Sequence, residues 1–226
     1  MCKIILLLTL PLLSFALSDI TVLKRDFDNF LASDNSPQCQ AEFNRYHRCY
    51  ANIEAKTTEI AQKGFQVPSK AELTLMINDM KKASACVGEV TCNKFILAQY
   101  INVGSTYFVE NAISKPYDCL AESDFLITAF GCVSKSVPHS LLKSIPENPM
   151  VIAPYIKPII KCTATQVRGC SVNQKNSLYR GGMAFADVGA VIFDVLQASS
   201  TKTLPLYASI FNTKFNPAAY DTIVLQ

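Results

Sequence analysis

Apolar residues recur every three or four positions along most of this chain, which is the pattern of amphipathic helices. The longest unbroken run of such steps comprises Cys39, Phe43, Tyr46, Tyr50, Ile53, Thr57 and Ile60. We expect one helix of about six turns here, ending near Gly64. No alternating apolar and polar segment flanked by turn residues is present, so the pattern predicts no strand.

Start and stop residues divide the next part of the chain into two helices. Ser69 and Glu72 have the spacing of a capping box, which predicts a helix beginning there. Its expected buried stripe comprises Leu73, Met76, Met80, Ala83 and Cys86. Gly88 should end this helix, and Gly104 should end the helix that begins near Thr91, because glycine favours the residue after a helix.

The second half of the chain shows the same helical period. We expect one helix between Pro116 and Pro138, a proline-rich loop over 144–158 and a helix from Ile159 to about Cys170. Arg180-Gly181-Gly182 is expected to be a turn before a last apolar helix over 188–196. The whole pattern predicts an all-α, disulfide-linked, mostly antiparallel bundle of about five to seven helices.

The first eighteen residues have the pattern of a secretory signal peptide. A short start with one positive charge precedes the apolar run Ile4–Leu13, and small residues lie before an expected cleavage site at Asp19. The run is too short to span a membrane. We therefore expect 1–18 to be removed and 19–226 to be a secreted, extracellular, single cysteine-rich helical domain, with its cysteine core at 39–196. Short helices are also predicted near 20–31 and 204–211.

Composition and charge exclude several classes of protein. Half of the residues are hydrophobic and 17% are charged, which suits a folded core. The net charge of +3 falls to +2 when Lys3 leaves with the leader, so nothing indicates nucleic-acid binding. The most apolar late stretch, Gly181–Ala198, contains Asp187 and Asp194, and we therefore expect no membrane span in the mature chain.

The number of cysteines is the most informative feature of the composition. Nine cysteines are present, and one is expected to leave with the leader. The other eight are Cys39, Cys49, Cys86, Cys92, Cys119, Cys132, Cys162 and Cys170. An even number in a secreted chain, without any C-x-x-C pair, predicts four structural disulfides rather than a zinc or redox site.

Helix geometry restricts the pairing. Cys39 and Cys49 are expected on one helix, as are Cys119 and Cys132, which places their Cα atoms about 15 and 20 Å apart. Disulfides require about 4.4–6.8 Å. Nesting across antiparallel hairpins favours Cys39–Cys92, Cys49–Cys86, Cys119–Cys170 and Cys132–Cys162. The arms of these hairpins differ in length, and other pairings between neighbouring helices remain open.

Catalytic chemistry has little support in the sequence. His47 is followed by Arg48 and lacks the acidic neighbour that would orient a general base. His139 has no cysteine or acid at metal-ligand spacing. Acidic residues on predicted helices are best explained as solvated. We therefore expect no enzyme activity, no catalytic or metal-binding residue and no cofactor.

The chain resembles the nematode secreted proteins grouped as domain of unknown function nineteen. The resemblance covers roughly Cys39 to Leu196 and depends on the eight cysteines, the Arg48-Cys49-Tyr50 neighbourhood and the helical stripes. It implies a secreted, cysteine-stapled helical module. No functional residue follows from it, because that family has no established activity.

Two functions fit these expectations. The first is a non-catalytic module that binds an extracellular protein or surface polysaccharide. The second is a carrier of a small apolar, lipid-like ligand held between helices. The aromatic residues that could line its pocket are Phe27, Phe30, Phe43, Tyr46, Tyr50, Phe95, Tyr100, Tyr107 and Phe108, although their spacing favours core packing. The ligand-binding residues themselves are not assigned.

Overall fold

The computed structural model describes residues 36–62, 68–142, 149–200 and 214–225. Every regular element in these ranges is helical, which confirms the all-α prediction. The α-helices are α1 (Pro37–Gln62), α2 (Lys70–Val87), α3 (Asn93–Phe108), α4 (Tyr117–Glu122), α5 (Phe125–Ser136), α6 (His139–Leu142), α7 (Ile156–Gln166), α8 (Val172–Ser200) and α9 (Pro217–Asp221). A π-helical turn (Val109–Ser114) extends α3, and a 3₁₀ turn (Pro149–Tyr155) precedes α7.

More α-helices occur in these ranges than the five to seven expected. Two of them, α6 and α9, are single turns, and the helix predicted between Pro116 and Pro138 is divided into α4 and α5. The expected leader, the helices near 20–31 and 204–211 and the helix end at Gly64 lie outside the described residues.

Helices α1, α2 and α3 share one core. The prediction of a long first helix is confirmed, and its stripe from Cys39 to Ile53 faces inward. Phe95 of α3 is completely buried and lies 5.6 Å from the Tyr46 ring, which stacks on Tyr50 at 4.6 Å between centroids. Such aromatic contacts add to the area that the rings bury and fix how the helices face each other.

The capping box at the start of α2 is confirmed. The Ser69 hydroxyl accepts from the Glu72 amide at 3.3 Å, and the Glu72 carboxylate accepts from the Ser69 amide at 2.7 Å. The buried stripe differs from the predicted one, since Ile77 and Val87 are buried whereas Cys86 is exposed. Cys86 lies at the surface of α2, where it is joined to Cys49 of α1.

Of the helix ends and turns that glycines predicted in the described residues, the one at Gly88 is correct and two are wrong. Gly88 ends α2 with φ +64°, a conformation that glycine adopts easily. Gly104 lies inside α3, and the expected turn at Gly181 and Gly182 lies inside the 29-residue helix α8. A Cβ atom on Gly104 would come within 2.3 Å of Val188 Cγ2, so this glycine permits a close contact between α3 and α8.

The same requirement explains the other two glycines. A Cβ on Gly181 would lie 2.5 Å from the Ala112 amide nitrogen, and one on Gly182 would lie 2.6 Å from Ile160 Cγ2. Helix α8 thus packs closely against the π-helical turn and against α7. Where the backbones of packed helices approach this closely, a glycine is a packing residue and not a breaker.

The π-helical turn is held by polar groups that the wider helix leaves available. The Ser177 hydroxyl of α8 donates to the Asn111 carbonyl at 2.8 Å. The buried Asn111 side chain donates to the Tyr107 carbonyl at 3.0 Å and accepts from Lys115 Nζ at 2.8 Å. These bonds satisfy a buried amide that would otherwise be costly, and they anchor α8 to the end of α3.

The boundaries in the second half also differ from expectation. Ser123 interrupts the predicted helix, because its hydroxyl accepts from the Phe125 amide at 3.2 Å and starts a new helix there. Helix α7 begins at Ile156, inside the predicted loop, with Pro158 in the first turn where proline is tolerated. It ends at Gln166, so that Cys170 lies in the following loop after Gly169, whose φ is +80°.

Candidate functional site

All eight predicted cysteines are paired in the structure. The pairs, with their Cα–Cα distances, are Cys39–Cys92 (5.4 Å), Cys49–Cys86 (5.8 Å), Cys119–Cys170 (5.2 Å) and Cys132–Cys162 (5.7 Å). These are the pairs expected from hairpin order. Two lie in each half of the chain, and none joins the halves.

The two stretches of chain between the disulfides of the first hairpin, Cys39–Cys49 and Cys86–Cys92, differ in number of residues for a simple reason. Ten residues separate Cys39 from Cys49 on helix α1, a rise of about 15 Å. Only six separate Cys86 from Cys92, but most of these lie outside a helix, where each residue can cover about 3.3 Å. Both arms therefore span similar lengths.

A buried carboxylate holds the end of this hairpin. Glu42 of α1 is 6% exposed and accepts from the Thr91 and Cys92 amides at 2.9 and 3.1 Å. The Thr91 hydroxyl donates to the same side chain at 2.9 Å. Charge-assisted bonds to backbone amides position the residues before α3, next to the Cys39–Cys92 disulfide.

The C-terminal segment 214–225 is fastened to α3 and α8 by an aromatic cluster. Phe215 is 9% exposed and stacks on Tyr220 at 5.2 Å between centroids, with Tyr100 and Tyr107 at 5.5 and 5.9 Å. Burial is the main reason why the pKa values of these three tyrosines are raised. The cluster therefore keeps its phenols protonated well into the alkaline range.

Hydrogen bonds to α8 and α3 complete the attachment of this segment. The Tyr220 hydroxyl donates to Asp187 Oδ2 at 2.8 Å, and the Tyr107 hydroxyl donates to Asp221 Oδ1 at 2.7 Å. Lys157 Nζ lies 2.6 Å from Asp187 Oδ1. Asp187, which the sequence indicated as a solvated acid, is instead shared between α7, α8 and the C-terminal segment.

A cleft of about 320 Å³ lies where this segment meets the turn between α2 and α3. Val90, Ile96, Val103 and Phe215 give it an apolar wall. Polar groups lie at its mouth, where Lys214 Nζ is 3.9 Å from Glu89 Oε1, and both of these side chains are well exposed. A cleft of this size and composition can accept a small apolar molecule.

A second candidate surface is the outer face of α5. Ile127 is 77% exposed and Phe130, one turn later, is 54% exposed. Cys132 is completely buried on the inner face and is joined to α7 through Cys162. The helix is therefore held rigidly while its outer face presents two large apolar side chains to solvent.

The two histidines lie on different helices. The ring of His47 packs edge-on against Phe43 at 4.3 Å, and His139 lies in the one-turn helix α6. Among the described residues, no group of three or more histidine, cysteine or acidic side chains could hold a metal ion. None of the helices in these ranges is both long enough and apolar enough to cross a bilayer.

Comparison with known proteins returns nothing: no family model, curated protein or solved structure matches the chain. The resemblance to the nematode family stays a prediction.

The C-terminal segment was missed by the sequence analysis. A signal for it exists, since Asn216-Pro217 combines an N-cap residue with proline at the first helical position. The structure confirms this start, because Asn216 Oδ1 accepts from the Ala218 amide at 3.1 Å. Nothing local indicates that Phe215 closes a core between α8 and α3, since α3 lies more than a hundred residues earlier in the chain.

Proposed function

We propose that this protein is a secreted, non-catalytic, disulfide-stabilised helical module that binds an extracellular protein through the outer face of α5. The observation that carries the proposal is the exposure of Ile127 and Phe130 on a helix whose inner face is fastened. Large exposed apolar side chains close together are typical of protein contacts. A protein suits this face better than a polysaccharide, because a sugar could stack on the Phe130 ring but would gain no hydrogen bond from either side chain.

Secretion is supported by two separate features of the chain. The first eighteen residues have the pattern of a leader, and four disulfides persist only where thiols are not kept reduced. The Cys132–Cys162 bridge also serves binding, because a helix that is already ordered loses less entropy when a partner docks.

The test is retention of extracellular proteins on the immobilised full chain. The double variant Ile127→Ser/Phe130→Ser should lose the proteins that the wild type retains, whereas Leu75→Ser should keep them. Leu75 is a matched control, since it is 62% exposed on α2. Equal retention by all three proteins, with unchanged helical circular dichroism, would rule out α5 as the binding surface.

A second function is favoured by the cleft beside Phe215. Its apolar wall and charged mouth suit a small lipid-like ligand, as a carrier would require. Native mass spectrometry of the secreted protein should then show a bound apolar mass, and Val103→Trp should displace it by filling the cleft. If the wild-type protein shows no bound mass even after incubation with a fatty acid, the carrier function is ruled out.

A further inference from the structure

The four disulfides differ in how far solvent reaches them. Cys86 is exposed and its partner Cys49 is half-buried, so this bridge lies open on the surface between α1 and α2. Every other bridge has at least one buried half, and the other bridge of the same hairpin, Cys39–Cys92, has both cysteines only 6% exposed. Access to a sulfur atom largely decides which disulfide exchanges.

A cleft of about 450 Å³ adjoins the open bridge. Both of its cysteines contribute to the walls, together with Asn52, Lys56, Asp79 and Lys82. This space is large enough for a tripeptide-sized molecule to lie against the exposed residue Cys86.

The charges in this cleft favour an anionic ligand. Lys56 forms an ion pair with Asp79 across α1 and α2. Lys82 lies one turn before Cys86 on α2 and is exposed, which leaves the cleft with one excess positive charge. Among the described residues no ion pair engages Lys82.

We propose that the Cys49–Cys86 bridge is a thiol-exchange site that accepts a small anionic peptide thiol of the glutathione class. The thiolate attacks Cys86 Sγ, the bridge breaks, and Cys49 leaves as a thiolate that then takes up a proton. The peptide is now joined to Cys86 as a mixed disulfide. A second thiol attacks the peptide sulfur of that mixed disulfide, which releases the oxidised peptide dimer and leaves Cys86 reduced.

The hairpin remains joined after this exchange. Cys39–Cys92 still links the start of α1 to the residues before α3, and Glu42 still holds the same junction. Exchange therefore modifies the α1–α2 surface without releasing the hairpin.

The experiment uses the oxidised full chain with glutathione, followed by acid quenching and peptide mapping of alkylated cysteines. Cys49 should be alkylated first, with the glutathione mass on Cys86, while the other three bridges stay closed. Opening of another bridge first, or attachment of the mass to Cys49, would overturn the proposal.

Charge selectivity is tested by Lys82→Glu. The rate with glutathione should fall roughly two- to fivefold, the usual size of a surface charge interaction. The rate with 2-mercaptoethanol should fall less, because its attacking thiolate carries one negative charge whereas that of glutathione carries a net two. Lys161→Glu is the matched control, because it makes the same charge change beside the Cys132–Cys162 bridge, and it should alter neither rate at Cys86. An equal loss with both thiols, or no loss with glutathione, would overturn the selection of an anionic thiol.

Discussion

Single glycines decide how closely the helices of this protein approach each other. Gly104 and Gly181 lie where α3 and its π-helical extension meet α8, and both lack room for a Cβ atom. A glycine within an apolar helical stretch can either end the helix or permit a close contact with another helix, and the sequence pattern is the same in both cases. Only the neighbour in space distinguishes them, and for Gly181 that neighbour is the Ala112 backbone.

Gly181→Ala should destabilise the protein by about 2 kcal/mol, because the backbone of Ala112 cannot rotate away as a side chain could. Gly189→Ala on the same helix has no atom within 4 Å of its new Cβ. It should gain up to about 1 kcal/mol from better helix propensity. Urea unfolding of the two variants measures both changes, and a similar sign for the two would contradict close packing at Gly181.

A buried phenol makes stability depend on alkaline pH. Burial raises the pKa of Tyr50 from 10.0 to about 12. The unfolded phenol therefore ionises first, and the stabilisation that is complete below about pH 10 is lost as the pH rises toward 12, by at most about 1.4 kcal/mol per pH unit for this residue. Tyr50→Phe should make the unfolding free energy fall less between about pH 10 and pH 11. An unchanged fall in this variant would exclude Tyr50 as a cause.

The positions of the helices could largely be predicted from the sequence, whereas the contacts between distant residues that set some helix boundaries could not. The spacing of apolar residues was enough for α1, and the capping box was enough for the start of α2. The break between α4 and α5 depends on Ser123, whose hydroxyl accepts from the Phe125 amide at 3.2 Å, and on Asp124, which accepts from the distant Arg168 amide at 3.3 Å. A bond between residues so far apart in the chain leaves no local signal.

Only part of the candidate site could be predicted from the sequence. The eight cysteines could be predicted to pair because their number is even and the chain begins with the pattern of a leader. Phe215 and the cleft beside it could not, since the cleft exists only after three separate segments have come together.

The C-terminal segment gives a prediction at the scale of one element. Phe215→Ala should destabilise the protein by about 3 kcal/mol, because the ring is buried among three tyrosines. Phe130→Ala removes a ring that is 54% exposed and should change the unfolding free energy by less than about 0.5 kcal/mol. Equal losses in urea unfolding would show that the segment does not contribute to the core.

The whole molecule is organised as two disulfide-linked groups of helices that α8 connects. Helix α8 contacts α3 and the π-helical turn of the first group through Gly104, Gly181 and Ser177. It contacts α7 of the second group through Gly182. The groups are joined by packing rather than by a covalent bridge, so each disulfide stabilises the half that contains it.

Removing the Cys39–Cys92 bridge should weaken the first group of helices. The Cys39→Ala/Cys92→Ala variant opens a loop with a sequence separation of 53 residues. Because Cys49–Cys86 stays closed inside this loop, the length released is only the ten residues from Cys39 to Cys49 and the six from Cys86 to Cys92, 16 residues in all. By the chain-entropy relation the free energy of unfolding should therefore fall by about 3 kcal/mol. Urea unfolding checks this value, and a loss below about 1 kcal/mol would mean that the unfolded chain is already restricted at this position.

The separation of the disulfides into two groups also bears on how the protein acquires them. Eight cysteines allow more than a hundred pairings, whereas four allow only three. All four cysteines of the first group, from Cys39 to Cys92, precede Cys119 in the chain. A chain that enters an oxidising compartment with its N-terminus first can therefore complete one small search for partners before the next begins. The order of the cysteines would guide oxidative maturation without a need to sort all eight at once.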